Sequence, residues 1–151
     1  MMTNNRIAYL KSQIGKPMTK NPSPVARWLD GRLKAVSEGS LTVEFTVREE
    51  MTNPMGILHG GMAATMMDEV LGATVFSLGH ENFFVSVNLN VDYLASARLG
   101  EVVTVASKVI REGRNIVHAE CHITNAEGKL LVKSTTNMLV TGIKIPDERH
   151  G

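Results

Sequence analysis

The chain has 151 residues, of which 16 are Lys or Arg and 15 are Asp or Glu, so its formal charge is +1. This near-neutral charge, with its basic residues scattered, argues against a nucleic-acid-binding protein. The single cysteine, Cys121, excludes an intramolecular disulfide, and no Cys/His group has zinc-site spacing. The start lacks a signal-peptide pattern, and no apolar run approaches about 18 residues, so we expect a cytoplasmic protein without a membrane segment or metal.

The N-terminal part predicts one short helix followed by a loop. Apolar residues within 6–14 have helical spacing, and Gly15 follows them as a stop signal. Three prolines between Gly15 and Pro24 predict the loop. We therefore expect an N-terminal helix and loop over residues 1–22 and the main body over residues 23–151, as a single domain overall.

The rest of the chain predicts six strands around one helix. Residues 33–36 and 41–47 alternate apolar and polar side chains and predict a β-hairpin. Residues 58–78 are small or apolar nearly all round, which predicts a buried helix. Four further strands are expected at 83–94, 101–111, 116–125 and 130–140. In the first of these, alternation predicts one shared face for Val85, Val87, Leu89 and Val91. The fold class is therefore α+β, with a curved sheet wrapping the helix.

The segment 53–69, Asn-Pro-Met-Gly-Ile-Leu-His-Gly-Gly-Met-Ala-Ala-Thr-Met-Met-Asp-Glu, places a His-Gly-Gly turn directly before this helix. A helix that opens on glycines presents unpaired N–H groups and the positive end of its dipole, which suit a developing oxyanion. Asp68 can attack a carbonyl carbon or activate water. We expect this acid to be buried, since its helical neighbours are small and weakly polar. Glu69 is the alternative acid, rotated by about 100° around the helix.

The order hairpin, Asn-Pro-x-Gly-x-x-His-Gly-Gly, helix with Asp, and four long strands resembles the hotdog-fold acyl-CoA thioesterases, in particular the phenylacetate-pathway and 4-hydroxybenzoyl-CoA thioesterase-like group. The resemblance covers about residues 23–142. It implies the hotdog fold, a curved antiparallel sheet around a long central helix, and hydrolysis of an acyl- or aryl-CoA thioester. No cofactor is implied beyond the coenzyme A of the substrate. The family's Tyr/Phe-x-x-Pro-Ala strand ending occurs here as Tyr93-Leu-Ala-Ser-Ala97, without the proline.

Matching the family motif position by position implies five catalytic residues. Gly60 supplies the oxyanion-hole N–H, with Gly61 in support, and Asp68 is the nucleophile or general base. Asn53 orients the carbonyl or the water with help from His59, and Ser86 holds the attacking water. The residues expected to bind the rest of the substrate are Gly61, Met62, Thr65 and Met66. The basic residues considered for the CoA phosphates are Arg98, Lys108, Arg111 and Arg114.

The resemblance also implies a second subunit. In this family two protomers join their sheets edge to edge, and each active site takes its glycine N–H from one protomer and its acid from the other. We therefore expect a homodimer that pairs into a tetramer.

Other interpretations stay open. Asp68 can be a solvent-facing helix residue, Asn53 an Asx-turn and Ser86 an ordinary strand hydroxyl. His118 and His122 share a strand face but are about 13 Å apart, too far to bind one metal ion. A non-catalytic acyl-CoA sensor would need a further domain, for which the roughly 30 residues before the sheet are too few. An acyl-thioester dehydratase or hydratase would use other His and acid motifs.

Overall fold

The computed structural model describes residues 4–146, and this part of the chain forms a six-stranded antiparallel sheet with one long helix and two short ones. In chain order the elements are α1 (Asn5–Ser12), a 3₁₀ turn (Met18–Lys20), α2 (Pro24–Leu29), β1 (Arg32–Ser37), β2 (Ser40–Thr46), a second 3₁₀ turn (Glu49–Met51), α3 (Gly60–Phe76), β3 (Asn82–Tyr93), β4 (Val102–Glu112), β5 (Ile116–Thr124) and β6 (Leu130–Lys144). The strand order is β1-β2-β4-β5-β6-β3. The predicted α+β architecture is confirmed.

Helix α3 packs against one face of the sheet. Met66, Met67 and Leu71 have no exposed surface and belong to one core cluster with apolar residues of β2, β4, β5 and β6. The sequence predicted a helix that is buried on all sides. This prediction is wrong, because Gly61 and Asp68 are exposed. A single sheet covers one side of a helix, and the opposite stripe needs a second layer to bury it.

Helix α2 lies where no helix was expected. Ser23 caps it, since the Ala26 N–H donates to the Ser23 hydroxyl over 3.3 Å, and Pro24 occupies the first helical position. Arg48, which follows β2, holds this helix by donating to the Leu29 carbonyl at 3.0 Å and lying 4.8 Å above the Trp28 ring. The Ser-Pro start signal was present in the sequence, but the proline-rich surroundings favoured a loop.

Strand β3 contains a β-bulge in its middle. Ser86 pairs with Met138 of β6, and Asn88 pairs with Asn137, the adjacent residue on β6. Val87 is therefore an extra residue in β3 without a partner in the β6 register.

This bulge overturns the predicted alternation of β3. Val85 and Val87 are 44% and 56% exposed, whereas Leu89 and Val91 pack against the core. The prediction that all four share one face is wrong, because one extra residue exchanges the two faces of a strand from that point onward.

Strand β3 is also an edge of the sheet, with β6 as its hydrogen-bonded neighbour. Its exposed apolar residues include Phe83, at 51% exposed, together with Val85 and Val87. An edge strand of this kind presents unpaired backbone groups and can pair with another strand. Across residues 4–146, no helix combines the length and the hydropathy that crossing a membrane requires.

Candidate active site

The first turn of α3 contains backbone N–H groups that have no acceptor within residues 4–146. His59 is the N-cap residue, and its Nδ1 accepts a hydrogen bond from the Gly61 N–H at 2.9 Å. The His59 carbonyl accepts from the Ala63 N–H at 3.0 Å. Within residues 4–146 no group accepts a hydrogen bond from the Gly60 N–H. This amide, at the positive end of the helix dipole, is available to an oxyanion.

The Gly61 amide is not available in the same way. Its N–H donates to His59 Nδ1, so it is not free to assist Gly60 as the second donor that the sequence led us to expect. The Thr65 hydroxyl donates to the Gly61 carbonyl at 2.7 Å, which ties this side chain to its own helix. The Met62 N–H likewise has no acceptor within residues 4–146, but of these two residues Gly60 is the one that lines the apolar cavity described below.

Asp68 and Ser86 meet on the exposed side of α3. The Ser86 hydroxyl on β3 donates to Asp68 Oδ1 at 3.1 Å, so the structure brings these two predicted site residues together. Both side chains are exposed. The expectation of a buried Asp68 is therefore wrong for a single chain, because nothing in residues 4–146 covers this stripe of the helix.

Glu69 points to a different part of the fold. Both oxygens of its carboxylate accept from the Ser23 hydroxyl, at 3.2 and 3.1 Å, so Glu69 fastens the start of α2 to α3. Partial burial raises the pKa of Glu69 above its ordinary value, the Ser23 hydrogen bond opposes this shift, and the charge of Asp68 adds to it. Glu69 therefore faces α2, away from the Asp68 and Ser86 pair.

The glycine donor and the acid are far apart in one chain. Gly60 and Asp68 are eight residues apart in α3. A rise of 1.5 Å per residue separates their Cα atoms by roughly 12 Å. One thioester carbonyl cannot contact both groups within a single chain, so the candidate site consists of two halves.

Asn53 lies in the half that contains Gly60. Its side-chain Oδ1 accepts from the Met55 N–H at 3.0 Å and from the Ile57 N–H at 3.4 Å. The Oδ1 atom of Asn53 is therefore engaged in an Asx-turn, as one of the interpretations from the sequence predicted. A contact between Asn53 and a substrate has to come from the side-chain NH₂ group.

An apolar cavity of about 190 Å³ opens beside Gly60. Its wall is formed mostly by apolar side chains and backbone, from Ile57, Leu58, Gly60, Ala63, Tyr93, Ala95, Ser96, Ala97, Leu131 and Val132. Met66 has no exposed surface and lies in the core, so the expectation that it binds substrate is not met. Met62 is half-buried and packs against the core.

Tyr93 is a residue of this cavity that the sequence reasoning missed. Its hydroxyl donates to the Gly60 carbonyl at 2.6 Å. The sequence identifies Tyr93 as part of the family's strand ending, which assigns it no contact with the helix. The bulge in β3, which turns Tyr93 toward α3, leaves no signal in the sequence.

A second cavity, of about 470 Å³, lies on the face of the sheet opposite α3. It is lined by Arg111, Gly113, Arg114, Asn115, Ile116, His118 and Asn137. Two of the four basic residues considered for CoA phosphates thus share one cavity. Arg98 instead pairs through its backbone with Ile57, and Lys108 is exposed in the middle of β4.

The histidines form no metal site in the described part of the chain. His118 Nδ1 lies 2.8 Å from Asn137 Oδ1, and within residues 4–146 no three His, Cys, Asp or Glu side chains are grouped as metal ligands.

Comparison with known proteins decides the family. Residues 55–132 match the family model of the thioesterase superfamily. The chain belongs to the thioesterase superfamily. Its activity is accordingly thioester hydrolysis, and the resemblance inferred from the sequence is confirmed.

Three relatives of this thioesterase illustrate the match. Acyl-coenzyme A thioesterase 13 of Homo sapiens is 32% identical over 102 residues, which cover 67% of this chain and 73% of the relative. The structure of a hypothetical thioesterase from Streptococcus pneumoniae TIGR4 with coenzyme A is 29% identical, with a TM-score of 0.72, and the match covers 77% of this chain and 89% of that one. The PaaI protein of E. coli is 18% identical, with a TM-score of 0.82 over 96% of this chain and all of its own, and supports the hotdog fold alone.

Proposed function

We propose that this thioesterase hydrolyses an acyl- or aryl-CoA thioester to the free acid and CoA. The observation that carries the proposal is the free N–H of Gly60, a residue that lines an apolar cavity at the start of α3. A hydrogen-bond donor on an apolar wall suits a thioester, because the acyl group occupies the cavity while the carbonyl oxygen meets the donor. Coenzyme A enters as part of the substrate, and no cofactor is needed.

Gly60 stabilises the charge that develops on the carbonyl oxygen. The N–H and the helix dipole act on the tetrahedral oxyanion more strongly than on the neutral thioester. Removing one such donor typically raises the barrier by about 3–4 kcal/mol. The NH₂ of Asn53 and the Nε2 side of the His59 ring assist in orienting the carbonyl or the water, and Thr65 and Met62 support this half of the site.

Asp68 acts on the carbonyl carbon or on water. As a general base it accepts a proton from a water held by Ser86, while the water oxygen bonds to the carbonyl carbon. The intermediate then breaks its C–S bond, and the CoA thiolate leaves and takes up the proton. As a nucleophile the Asp68 carboxylate attacks the carbonyl carbon and expels the CoA thiolate, which forms a mixed anhydride. Water then hydrolyses the anhydride to the free acid and the Asp68 carboxylate. Both routes use the contact between Asp68 and Ser86 at 3.1 Å.

We further propose that a second copy of the chain completes each site. Pairing of the exposed β3 edges of two protomers would cover Phe83, Val85 and Val87 and the stripe that carries Asp68. It would also bring the acid half of one protomer toward the glycine half of the other, which one chain keeps roughly 12 Å apart. The assembly is a homodimer, paired into a dimer of dimers.

The nucleotide end of CoA is assigned to the larger cavity. Arg111 and Arg114 line it together with His118, and charge-assisted hydrogen bonds from guanidinium groups suit phosphates. Arg98 and Lys108 are the less favoured candidates, because neither lines this cavity. We place the protein in the cytoplasm, where its single thiol stays reduced.

The test is thiol release from a panel of aryl, short-chain and long-chain acyl-CoAs, followed with a thiol-reactive dye. The protein's own thiol does not interfere, because burial raises the pKa of the Cys121 thiol to about 12. We expect release with at least one ester and a loss of about 10²- to 10⁴-fold in kcat for Asp68→Ala. The matched control is Glu69→Gln, one residue along the same helix, which should keep its activity.

Two results would contradict the proposal. Binding of acyl-CoA without hydrolysis of any ester would show a sensor in place of an enzyme. Full activity in Asp68→Ala would show that the acid is misassigned, and loss of activity in Glu69→Ala would then identify the acid as Glu69.

A further inference from the structure

We infer that Tyr93 is a positioning residue for the oxyanion hole, which it acts on through the backbone of Gly60. The inference rests on the proposed function, since it concerns the same glycine donor. The contact is direct, because the Tyr93 hydroxyl donates to the Gly60 carbonyl over 2.6 Å. Both residues line the same apolar cavity.

The peptide between Gly60 and Gly61 is held at both ends by side chains. Tyr93 binds its carbonyl oxygen, and His59 Nδ1 accepts its N–H at 2.9 Å. The preceding peptide is fixed by the bond from the Ala63 N–H to the His59 carbonyl, at 3.0 Å. A glycine has no side chain to restrict its backbone dihedrals. These outside contacts therefore fix the direction of the free Gly60 N–H.

The Tyr93 ring also covers the Cα of Gly60. A Cβ added to Gly60 would lie 3.1 to 3.3 Å from the ring carbons and the hydroxyl oxygen of Tyr93, closer than ordinary packing. Position 60 thus takes glycine without strain, because the ring occupies the space of a side chain. Substitution of Gly60 would displace the ring and disturb the hydroxyl contact.

A purely structural role explains this contact less well. Tyr93 is 54% exposed, so its ring contributes little to the core. A carbonyl in the first turn of a helix already has a partner in the N–H four residues later, so Gly60 does not need the hydroxyl to be satisfied. What the hydroxyl adds is orientation of the helix start.

The test is Tyr93→Phe, which keeps the ring and removes the hydroxyl. We expect kcat to fall about three- to tenfold, the size of one neutral hydrogen bond, with KM changed less than about twofold and the melting temperature unchanged. The matched control is Thr141→Val, which removes a hydroxyl bond of 2.7 Å to the Phe83 carbonyl at the other end of β3. It should leave kcat unchanged.

A spectroscopic readout separates this inference from the proposed function. In protein labelled with ¹⁵N-glycine, Tyr93→Phe should shift the amide resonances of Gly60 and Gly61 and leave the remaining glycines in place. Unchanged Gly60 resonances, a loss confined to KM, or a kcat loss that follows a drop in melting temperature would overturn the positioning role. Failure of the whole acyl-CoA panel would instead contradict the proposed function, and the resonances would still report on the contact.

Discussion

Asp68 and Glu69 are adjacent carboxylates whose surroundings give them different roles. Asp68 is exposed and bonds to Ser86 of the edge strand, whereas Glu69 is half-buried and bonds to Ser23 at the start of α2. The helical rotation of about 100° between neighbours is enough to direct them to different elements. The raised pKa of Glu69 is explained by its burial between two helices and does not mark the acid of the reaction.

We expect Glu69→Gln to stabilise the fold at neutral pH. A carboxyl group whose pKa is raised on folding contributes stability below its unfolded pKa, and this stability is lost as the pH rises through the folded pKa. Gln stays neutral and still accepts from the Ser23 hydroxyl. The melting temperature should therefore rise near pH 7 and match the wild type below about pH 4. Thermal unfolding followed by circular dichroism at both pH values measures the difference.

The size of this effect is small, because the Glu69 carboxylate is still half in water. A gain of less than about 1 kcal/mol is expected. A variant that is less stable than the wild type at neutral pH would contradict the prediction, since it would show that the ionised carboxylate stabilises α2. The variant for comparison is Ser23→Ala, because it removes the hydroxyl that donates to Glu69 and leaves the charge of the Glu69 carboxylate in place.

At the scale of elements, the hairpin of β4 and β5 carries the proposed phosphate contacts. Arg111→Ala and Arg114→Ala should each raise KM for an acyl-CoA about tenfold or more, which corresponds to one charge-assisted hydrogen bond. Lys108→Ala, in the same strand as Arg111 but outside the cavity, is the matched control and should change KM little. Steady-state kinetics on one acyl-CoA measures all three variants.

An acyl-pantetheine thioester, which lacks the nucleotide, sharpens this comparison. The arginine variants should hydrolyse it with the wild-type KM, because the phosphates they are proposed to bind are absent. Equal increases in KM for both substrates would place these arginines in a structural role, and an increase limited to Lys108→Ala would place the phosphate site outside the cavity.

The sequence predicted the elements and the site to different depths. The glycine turn, the acid and Asn53 could be proposed from the sequence because they lie within one short segment whose local backbone fixes their spacing. Ser86 was predicted from the family pattern, whereas its contact with Asp68 comes from the structure. Tyr93 was missed because a bulge depends on the pairing of two strands distant in the chain, which single-strand alternation does not show.

The outward exposure of Asp68 was missed for a related reason. A run of small and apolar residues predicts burial without stating which surface provides it. In this chain the sheet buries Met66, while the stripe with Asp68 is left uncovered. The residue type at each position was informative, but the layer that covers it is a property of the assembled molecule.

At the scale of the whole molecule, the two halves of the site can be tested by mixing inactive chains. Asn53→Ala damages the glycine half and Asp68→Ala the acid half. In a mixed dimer with shared sites, one site combines both defects and the other contains neither. Equal amounts of the two variants, exchanged at random, should recover about a quarter of wild-type activity.

The controls for the mixing experiment follow from how the two defects are distributed over the two sites of a mixed dimer. Each variant alone should stay inactive after the same treatment, and a double variant mixed with either single variant should recover nothing. Thiol release after unfolding and refolding of the mixtures provides the measurement. No recovery in a mixture that demonstrably contains mixed dimers would show that each chain holds a complete site.

The bulge at Val87 changes which alternate residues of β3 face α3, so the side chains before and after it follow different alternations. Residues 86 and 93 are separated by an odd number of steps, so a regular strand would send one of them away from α3. With the bulge, both reach the helix, one at the acid and one at the oxyanion donor. A one-residue deletion at this point would keep the strand and most of its pairing. It would, however, turn either Ser86 or Tyr93 away from α3. The number of residues between Ser86 and Tyr93 is therefore fixed, whichever residue types occupy the positions between them.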